Sequence, residues 1–446
     1  MLRFAVLFSV VCVCTAVGVP AQGQEWRQFR GPGARGVAEN ANLPDTWSET
    51  ENVAWSREIA GRGWSSPIVT GGRVFLTTVV RDEGEPEAAK PGLYFGGNRL
   101  EPPDVPHAWR AVCLDLASGK PLWEKTLHRG APETPRHIKN SYASETPVTD
   151  GEHVYVLFGD VGLFCLTLEG EQVWQRDMPP VKTRFGWGTA ASPVLHQGRI
   201  YVVSDNEDAS YLLALDAATG KEIWKVDRDE KSNWATPYVW RNEQRTEIIT
   251  PGTGKTRAYD LDGQLLYELG GASSITIATP YTAHGLLYVS SGYVLDRQKP
   301  IFAIRPGAEG DISLQDDETT NESIAWSQPA AAPYNPSTLV YGDSLFVLYD
   351  RGFYAVFDAK TGEPQVELTR IPGGRSFTAS PWAYGGKVFC LNEFGETFVF
   401  DAADNFKPLP TNKLPADEMY MSTPAIAGDR LLVRSSKRLY CLADSP

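Results

Sequence analysis

Short apolar runs, interrupted by glycine, proline and Asp/Asn turns, recur along the whole chain, and no long stretch carries helical periodicity. The pattern is clearest in Ala214–Trp224, Ala-Leu-Asp-Ala-Ala-Thr-Gly-Lys-Glu-Ile-Trp. Leu213 and Leu215 alternate with smaller residues, which predicts the end of a half-buried strand. Asp216 is placed to bond the backbone of a tight turn, and Gly220 to take the positive φ that turn needs. Ile223 and Trp224 then begin a returning strand. The same pattern recurs at Ala111–Trp123 and Leu163–Trp174, and in weaker form at Ala258–Tyr267, Ala355–Glu363 and Phe398–Ala402. Self-similarity of this kind decides the fold class before any other feature.

A second landmark opens each unit: a Ser/Thr-Pro step, a strand, a glycine and a more apolar strand. The prolines are Pro67, Pro147, Pro193, Pro237, Pro280, Pro336, Pro381 and Pro424, separated by 80, 46, 44, 43, 56, 45 and 43 residues. A repeat in the low forties with four short strands predicts an all-β, eight-bladed β-propeller of four-stranded blades. The two long intervals are read as insertions, at 81–110 in blade one and at 293–300 and 306–323 in blade five. The eighth unit stops after Arg438–Leu442, one strand short. Asn52–Glu58, with Trp55, has the character of the missing strand, so an N-terminal strand is expected to complete the C-terminal blade and close the ring. The expected organisation is a signal peptide over 1–23, an N-terminal extension over 24–51 and a single propeller domain over 52–446. The extension opens Trp26-Arg27-Gln28-Phe29-Arg30-Gly31-Pro32-Gly33, too rich in Arg and Gly for a core strand, and is expected to lie across the ring.

Composition narrows the class of function. Arg3 followed by the apolar run Phe4–Val19 and small residues at Val19-Pro20-Ala21 or Ala21-Gln22-Gly23 predicts export to the periplasm or beyond. The run is too short for a membrane span, and Cys12 and Cys14 lack a lipidation context. Net charge of −13 argues against nucleic acid and against anionic membrane surfaces. Cys113, Cys165 and Cys441 fall at one position of one repeated strand, so with Cys390 they are read as small core residues rather than disulfide partners. The six histidines show no metal-ligand spacing. Pro251-Gly252-Thr253-Gly254-Lys255-Thr256 lacks the leading glycine and following helix of a phosphate loop and is read as a turn between strands.

In a propeller the loops that enter the first strands crowd one mouth of the central channel. Here an aromatic residue recurs in those loops: Trp64, Tyr142, Trp187, Trp234, Phe377 and Tyr420. Two readings follow, packing between blades and an aromatic-lined mouth. The same loops carry Arg62, Arg136, His137, Lys139, Arg184, Lys231 and Arg375 against Glu145, Asp417 and Glu418. The ligand-binding candidates are Arg62, Trp64, His137, Lys139, Arg184, Trp187, Trp234 and Arg375, and an anionic group is the expected ligand, with Arg62, Arg184 and Arg375 converging on it.

The Ala-x-Asp-x-x-Thr-Gly-x-x-x-Trp pattern at 214–224, repeated at 111–123, resembles the tryptophan-docking motif of the pyrroloquinoline-quinone (PQQ) repeat superfamily. That superfamily contains the quinoprotein alcohol dehydrogenases and the propeller lipoprotein of outer-membrane protein assembly. The resemblance covers roughly 52–442. It implies eight blades with Trp55, Trp123, Trp174, Trp224 and Trp326 docking between them, Tyr267 in the equivalent place of blade four, and no aromatic there in blades six and seven. The quinoprotein enzymes hold their cofactor under a disulfide of adjacent cysteines, above a tryptophan floor, beside a calcium ion. This chain has no adjacent cysteine pair after residue 23 and no recognisable calcium set, so neither PQQ nor a catalytic or metal site is expected. The expected function is a monomeric, exported, non-catalytic scaffold that binds protein or an anionic envelope ligand. The alternative is a PQQ-dependent dehydrogenase or another sugar- or alcohol-acting propeller.

Overall fold

The computed structural model describes residues 25–39, 41–84, 90–94 and 99–444. The expected signal peptide lies outside these residues. Eight small antiparallel sheets follow one another around a ring, one per repeat, each built outward from a short first strand such as Ile68–Thr70. Closure occurs as the sequence implies. Val53–Glu58 pairs with Arg438–Leu442, so blade eight contains both ends of the propeller chain.

The second and third strands of a blade are buried on both faces rather than half-buried. In Tyr211–Asp216 the four central residues are all inaccessible. The outer strand Glu222–Asp227 instead alternates between exposed and partly buried positions. Blades stack on their neighbours through both faces, so only the perimeter strand keeps a wet side.

The repeated turn explains the stacking. Asp216 Oδ1 accepts the Thr219 N–H at 2.9 Å and its hydroxyl at 2.6 Å, and Gly220 closes the turn at a φ of 69°. Each docking tryptophan donates its indole N–H to the carbonyl just after the turn aspartate (or its equivalent) of the next blade: Trp55 to Leu116, Trp123 to Leu168, Trp174 to Ala217, Trp224 to Leu261 and Trp326 to Ala359, at 2.9–3.0 Å. The turn glycine lies flat against that indole. A methyl group on Gly220 would stand 2.6 Å from the Trp174 ring. Aspartate, glycine and tryptophan are therefore one inter-blade device, with the turn on one blade and the ring on the one before.

Three segments depart from the repeat. The insertion in blade one is shorter than its spacing suggests, because His107–Asp115 and Arg73–Arg81 run as nine-residue strands and bury Trp109. In blade five, Gly310–Asp311 folds back as a parallel fifth strand on blade four, beside Tyr267. The N-terminal extension forms no regular strand, yet Trp26 and Arg30 are fully buried. It bridges Val69 in blade one, reaches Thr338 in blade six through the Arg30 guanidinium, and pairs Val37 with Ala383 in blade seven. It thus crosses the end of the channel opposite the first-strand entry loops.

Candidate functional site

The residue before a proline is held extended, and that is where each blade's first strand enters the channel. Seven of the eight entries carry Ser or Thr immediately before the proline. In blade six the order is reversed, and Ser337 follows Pro336. These hydroxyls accept backbone N–H groups across blade boundaries. Ser66 N–H donates to Thr146 (3.0 Å), Thr146 to Ser192 (2.9 Å) and Ser192 to Thr236 (3.1 Å). Thr279 donates to Ser337 (3.0 Å), Ser337 to Ser380 (2.9 Å) and Ser380 to Thr423 (3.0 Å). The belt satisfies N–H groups that the short first strands leave without a sheet partner.

Above the belt lies a cavity of about 230 Å³. Trp64, Trp187 and Trp234 form its upper wall, Tyr334 and Asn335 one side, and Phe29 of the extension reaches it from below. Leu93 and Tyr94, from the blade-one insertion, roof it. The roof is fastened at Gly92, whose carbonyl accepts from Lys139 Nζ at 2.7 Å and whose N–H donates to Glu393 Oε2 at 2.7 Å. Lys139 and Glu393 also form an ion pair, with side chains 7% and 1% exposed, so blades two and seven clasp the roof from opposite sides. Thr378 donates its hydroxyl to the same carboxylate.

The aromatic wall is rigid. Trp64 donates its indole N–H to the Lys139 carbonyl at 2.7 Å, and Trp234 donates to Gly188 at 2.6 Å. The Trp187 ring lies 5.7 Å from Trp234 and edge-on to His137 at 5.3 Å. Burial holds the His137 imidazole down at about 4, reinforced by the nearby charges of Lys139 and Arg136, so it is neutral at ordinary pH.

Of the expected site residues, the structure brings together Trp64, His137, Lys139, Trp187 and Trp234. It does not bring the arginines in. Arg62 pairs through its backbone with Val79. Arg184 donates to the Ser274 carbonyl at 3.0 Å and rests on Phe185. Arg375 is exposed, 4.2 Å from the centre of the Phe394 ring. None of the three lines the cavity, and the expected convergence of guanidinium groups is corrected accordingly. Arg184 and Arg375 lie against Phe185 and Phe394 rather than against Trp187 and Phe377, the mouth aromatics two or three residues away in sequence. The other mouth aromatics, Tyr142, Phe377 and Tyr420, pack into the seams between blades. Sequence reading missed Glu393, Asn335 and the roof contact at Gly92, for which no local pattern exists. Seven of the belt residues stand in the Ser/Thr-Pro steps that mark the start of the units, but as unit markers they give no sign of a hydroxyl belt.

The glycine-rich turn at 251–256 does cradle an anion, but the chain's own. Thr253 N–H donates to Glu230 Oε2 at 2.6 Å, and a side chain on Gly252 would collide with that carboxyl group. Burial lifts Glu230 to about 7, against the pull of Arg228. Arg257 and Arg228 complete a buried ion cluster between blades three and four. Among the described residues, no three His, Cys, Asp or Glu side chains stand close enough to hold a metal ion.

The family model described as outer membrane protein assembly factor BamB matches residues 165–445. A relative with that description, from Burkholderia pseudomallei (strain K96243), is 24% identical over 207 residues, 42% of this chain and 50% of the relative. The chain thus spans about half the length of the curated relative it matches. Quinohemoprotein alcohol dehydrogenase from Comamonas testosteroni superposes with a TM-score of 0.61 at 10% identity, covering 95% of this chain and 81% of that one. BamB from Moraxella catarrhalis superposes with a TM-score of 0.52 at 12% identity, covering 82% of this chain and 97% of that one. At these identities the superpositions show the eight-bladed fold alone.

Proposed function

The chain belongs to the family described as outer membrane protein assembly factor BamB, and from that premise we propose that it is an exported, non-catalytic propeller serving as a protein-interaction scaffold in the cell envelope. The observation that carries the reading is the family match over 165–445, which runs from within blade two to the end of blade eight. The perimeter supports it. Leu122, Val173 and Ile223 hold the same place in the outer strands of blades one to three, one residue before the docking tryptophan, and are 49%, 48% and 43% exposed. Apolar side chains repeated along neighbouring strand edges suit a protein partner that engages several blades.

The cavity residues do not suit PQQ, an acidic quinone. Among the described residues the one ammonium in the wall, on Lys139, is paired with Glu393, and His137 is held neutral. Cys113, Cys165, Cys390 and Cys441 are free thiols buried within blade strands. Two experiments test the proposal. Pure protein given PQQ, calcium, a dye acceptor and a panel of alcohols and aldoses is expected to show no turnover. Turnover that depends on added PQQ would overturn the non-catalytic reading. Cross-linking in an envelope fraction is expected to capture a protein partner that V173D/I223D no longer captures, and undiminished capture by that variant would remove the rim from the proposal.

A further inference from the structure

We propose that the channel cavity is a binding site for a small neutral polyhydroxylated ligand, a single sugar ring, held between the tryptophan wall and the hydroxyl belt. This goes beyond the scaffold reading, since a protein partner on the perimeter neither requires nor excludes it.

Size sets the first limit. About 230 Å³ falls below the roughly 300–1,000 Å³ of sites for drug-sized molecules, so the occupant is small. Charge sets the second. Lys139 spends its three donors on Gly92, Glu393 and Thr378, and His137 is neutral, so among the described residues the wall offers an anion no unpaired cation. An anionic ligand would lose its hydration without gaining a counter-charge.

The remaining chemistry has two kinds of surface. One is a set of indole and phenol faces held in fixed orientation, with the Trp64 and Trp234 N–H groups already committed to backbone carbonyls. The other is a ring of hydroxyls. Each belt hydroxyl that accepts an N–H keeps its own proton to donate. Ser66 and Thr279 line the cavity yet accept no belt N–H, so both donor and acceptor capacity remain on them. A sugar ring presents the complement, a flat apolar C–H face for the aromatic wall and a periphery of hydroxyls that both donate and accept. A purely apolar ligand would leave the belt hydroxyls unpaired.

Tryptophans in the wall make intrinsic fluorescence the readout. Full-length protein is titrated with glucose, galactose and N-acetylglucosamine, and in parallel with glucuronate and citrate. At least one neutral sugar is expected to shift the emission and raise the melting temperature, with the acids weaker. T279V keeps the shape, and Thr279 accepts no belt N–H, so the belt stays intact; it is expected to weaken binding several-fold, roughly tenfold at most for one hydrogen bond. W187A is expected to weaken it tenfold or more, and thermal melting of the unliganded variant separates loss of binding from loss of fold. The proposal is overturned if no neutral sugar perturbs the protein, if glucuronate or citrate binds more tightly than every neutral sugar, or if a folded T279V and W187A both bind as the wild type does. None of these outcomes bears on the capture experiment at the rim.

Discussion

The seam between blades three and four and the seam between blades seven and eight solve one problem in different ways. At the first, Trp224 of blade three sends its indole N–H to Leu261 and lays its ring on Gly263 of blade four. At the second there is no turn to dock on, because the third and fourth strands of blade eight come from opposite ends of the chain. The N-terminal extension fills the place. Trp47 stacks on Phe389 of blade seven with ring centres 5.9 Å apart, and its backbone N–H donates to Asn412 Oδ1 at 3.2 Å. The seam between blades six and seven is a third case. Blade six has Val366 where a tryptophan would stand, and Phe406 packs into that seam against Phe346. The motif is therefore lost where the next blade cannot offer an Asp-to-Gly turn to receive the ring, and the buried aromatic surface comes from elsewhere, from Trp47 of the extension in one seam and from Phe406 in blade seven's own turn in the other.

The largest expected effect tests that equivalence. Trp224→Ala removes a half-buried docking ring and its hydrogen bond and is expected to cost about 3 kcal/mol, the low end of the roughly 3–5 kcal/mol range for truncating a large aromatic side chain in a packed interior. Trp47 is 3% exposed, and if the extension truly stands in for the repeat, Trp47→Ala falls in the same range. Urea denaturation of both variants at one pH decides the matter. A loss under about 1 kcal/mol for Trp47→Ala would mean the extension only covers a seam that holds by itself.

A smaller effect comes from the acid buried between blades two and three. Glu145 is 2% exposed and accepts the Thr189 hydroxyl at 2.6 Å. Burial raises its pKa from an ordinary 4.5 to about 7. The folded protein then binds the proton more tightly than the unfolded chain, so this group lowers stability as pH rises from about 4.5 and exerts its full penalty above about 7. The penalty is about 1–3 kcal/mol. Glu145→Gln is expected to match the wild type near pH 4.5 and to exceed its stability at pH 8. Identical pH profiles for the two proteins would show that Glu145 is not responsible.

These cases also show what a single sequence can reveal. The ring, its count and its closure were legible because the turn and the tryptophan recur at a fixed spacing, and both partners of the seam contact lie inside the motif. The cavity was half legible. Trp64, Trp187 and Trp234 sit at repeated loop positions, but only structure separates them from Tyr142 and Phe377, which turn into the seams. The roof was not legible at all. Lys139 and Glu393 are 254 residues apart, and Gly92 between them belongs to no repeat. The arginine expectation failed for a related reason. Nearness in sequence to a mouth aromatic does not determine which ring a long side chain lies on, and Arg375 found Phe394 on a different loop.

The smallest effect isolates the turn from the ring it receives. Gly220 and Gly198 both sit at positive φ, 69° and 73°, in tight turns of blade three. Alanine at either place adds left-handed strain of about 1–2 kcal/mol. The surroundings differ. Nothing lies within 4 Å of the methyl group that Gly198→Ala introduces, whereas Gly220→Ala places it 2.6 Å from the Trp174 indole. The ring is fixed by its hydrogen bond to Ala217 and cannot withdraw without breaking it. Gly220→Ala should therefore be less stable than Gly198→Ala by about 1–3 kcal/mol, the usual cost of overpacking. Trp174→Phe gives a second handle, because a smaller ring with no N–H to anchor it relieves the clash. The penalty of Gly220→Ala is expected to shrink toward that of Gly198→Ala in the Trp174→Phe background, a coupling that a double-mutant cycle measures directly. Equal penalties for the two glycines in the wild-type background would show that Gly220 is selected by its backbone angle alone, and that the seam does not depend on glycine meeting tryptophan.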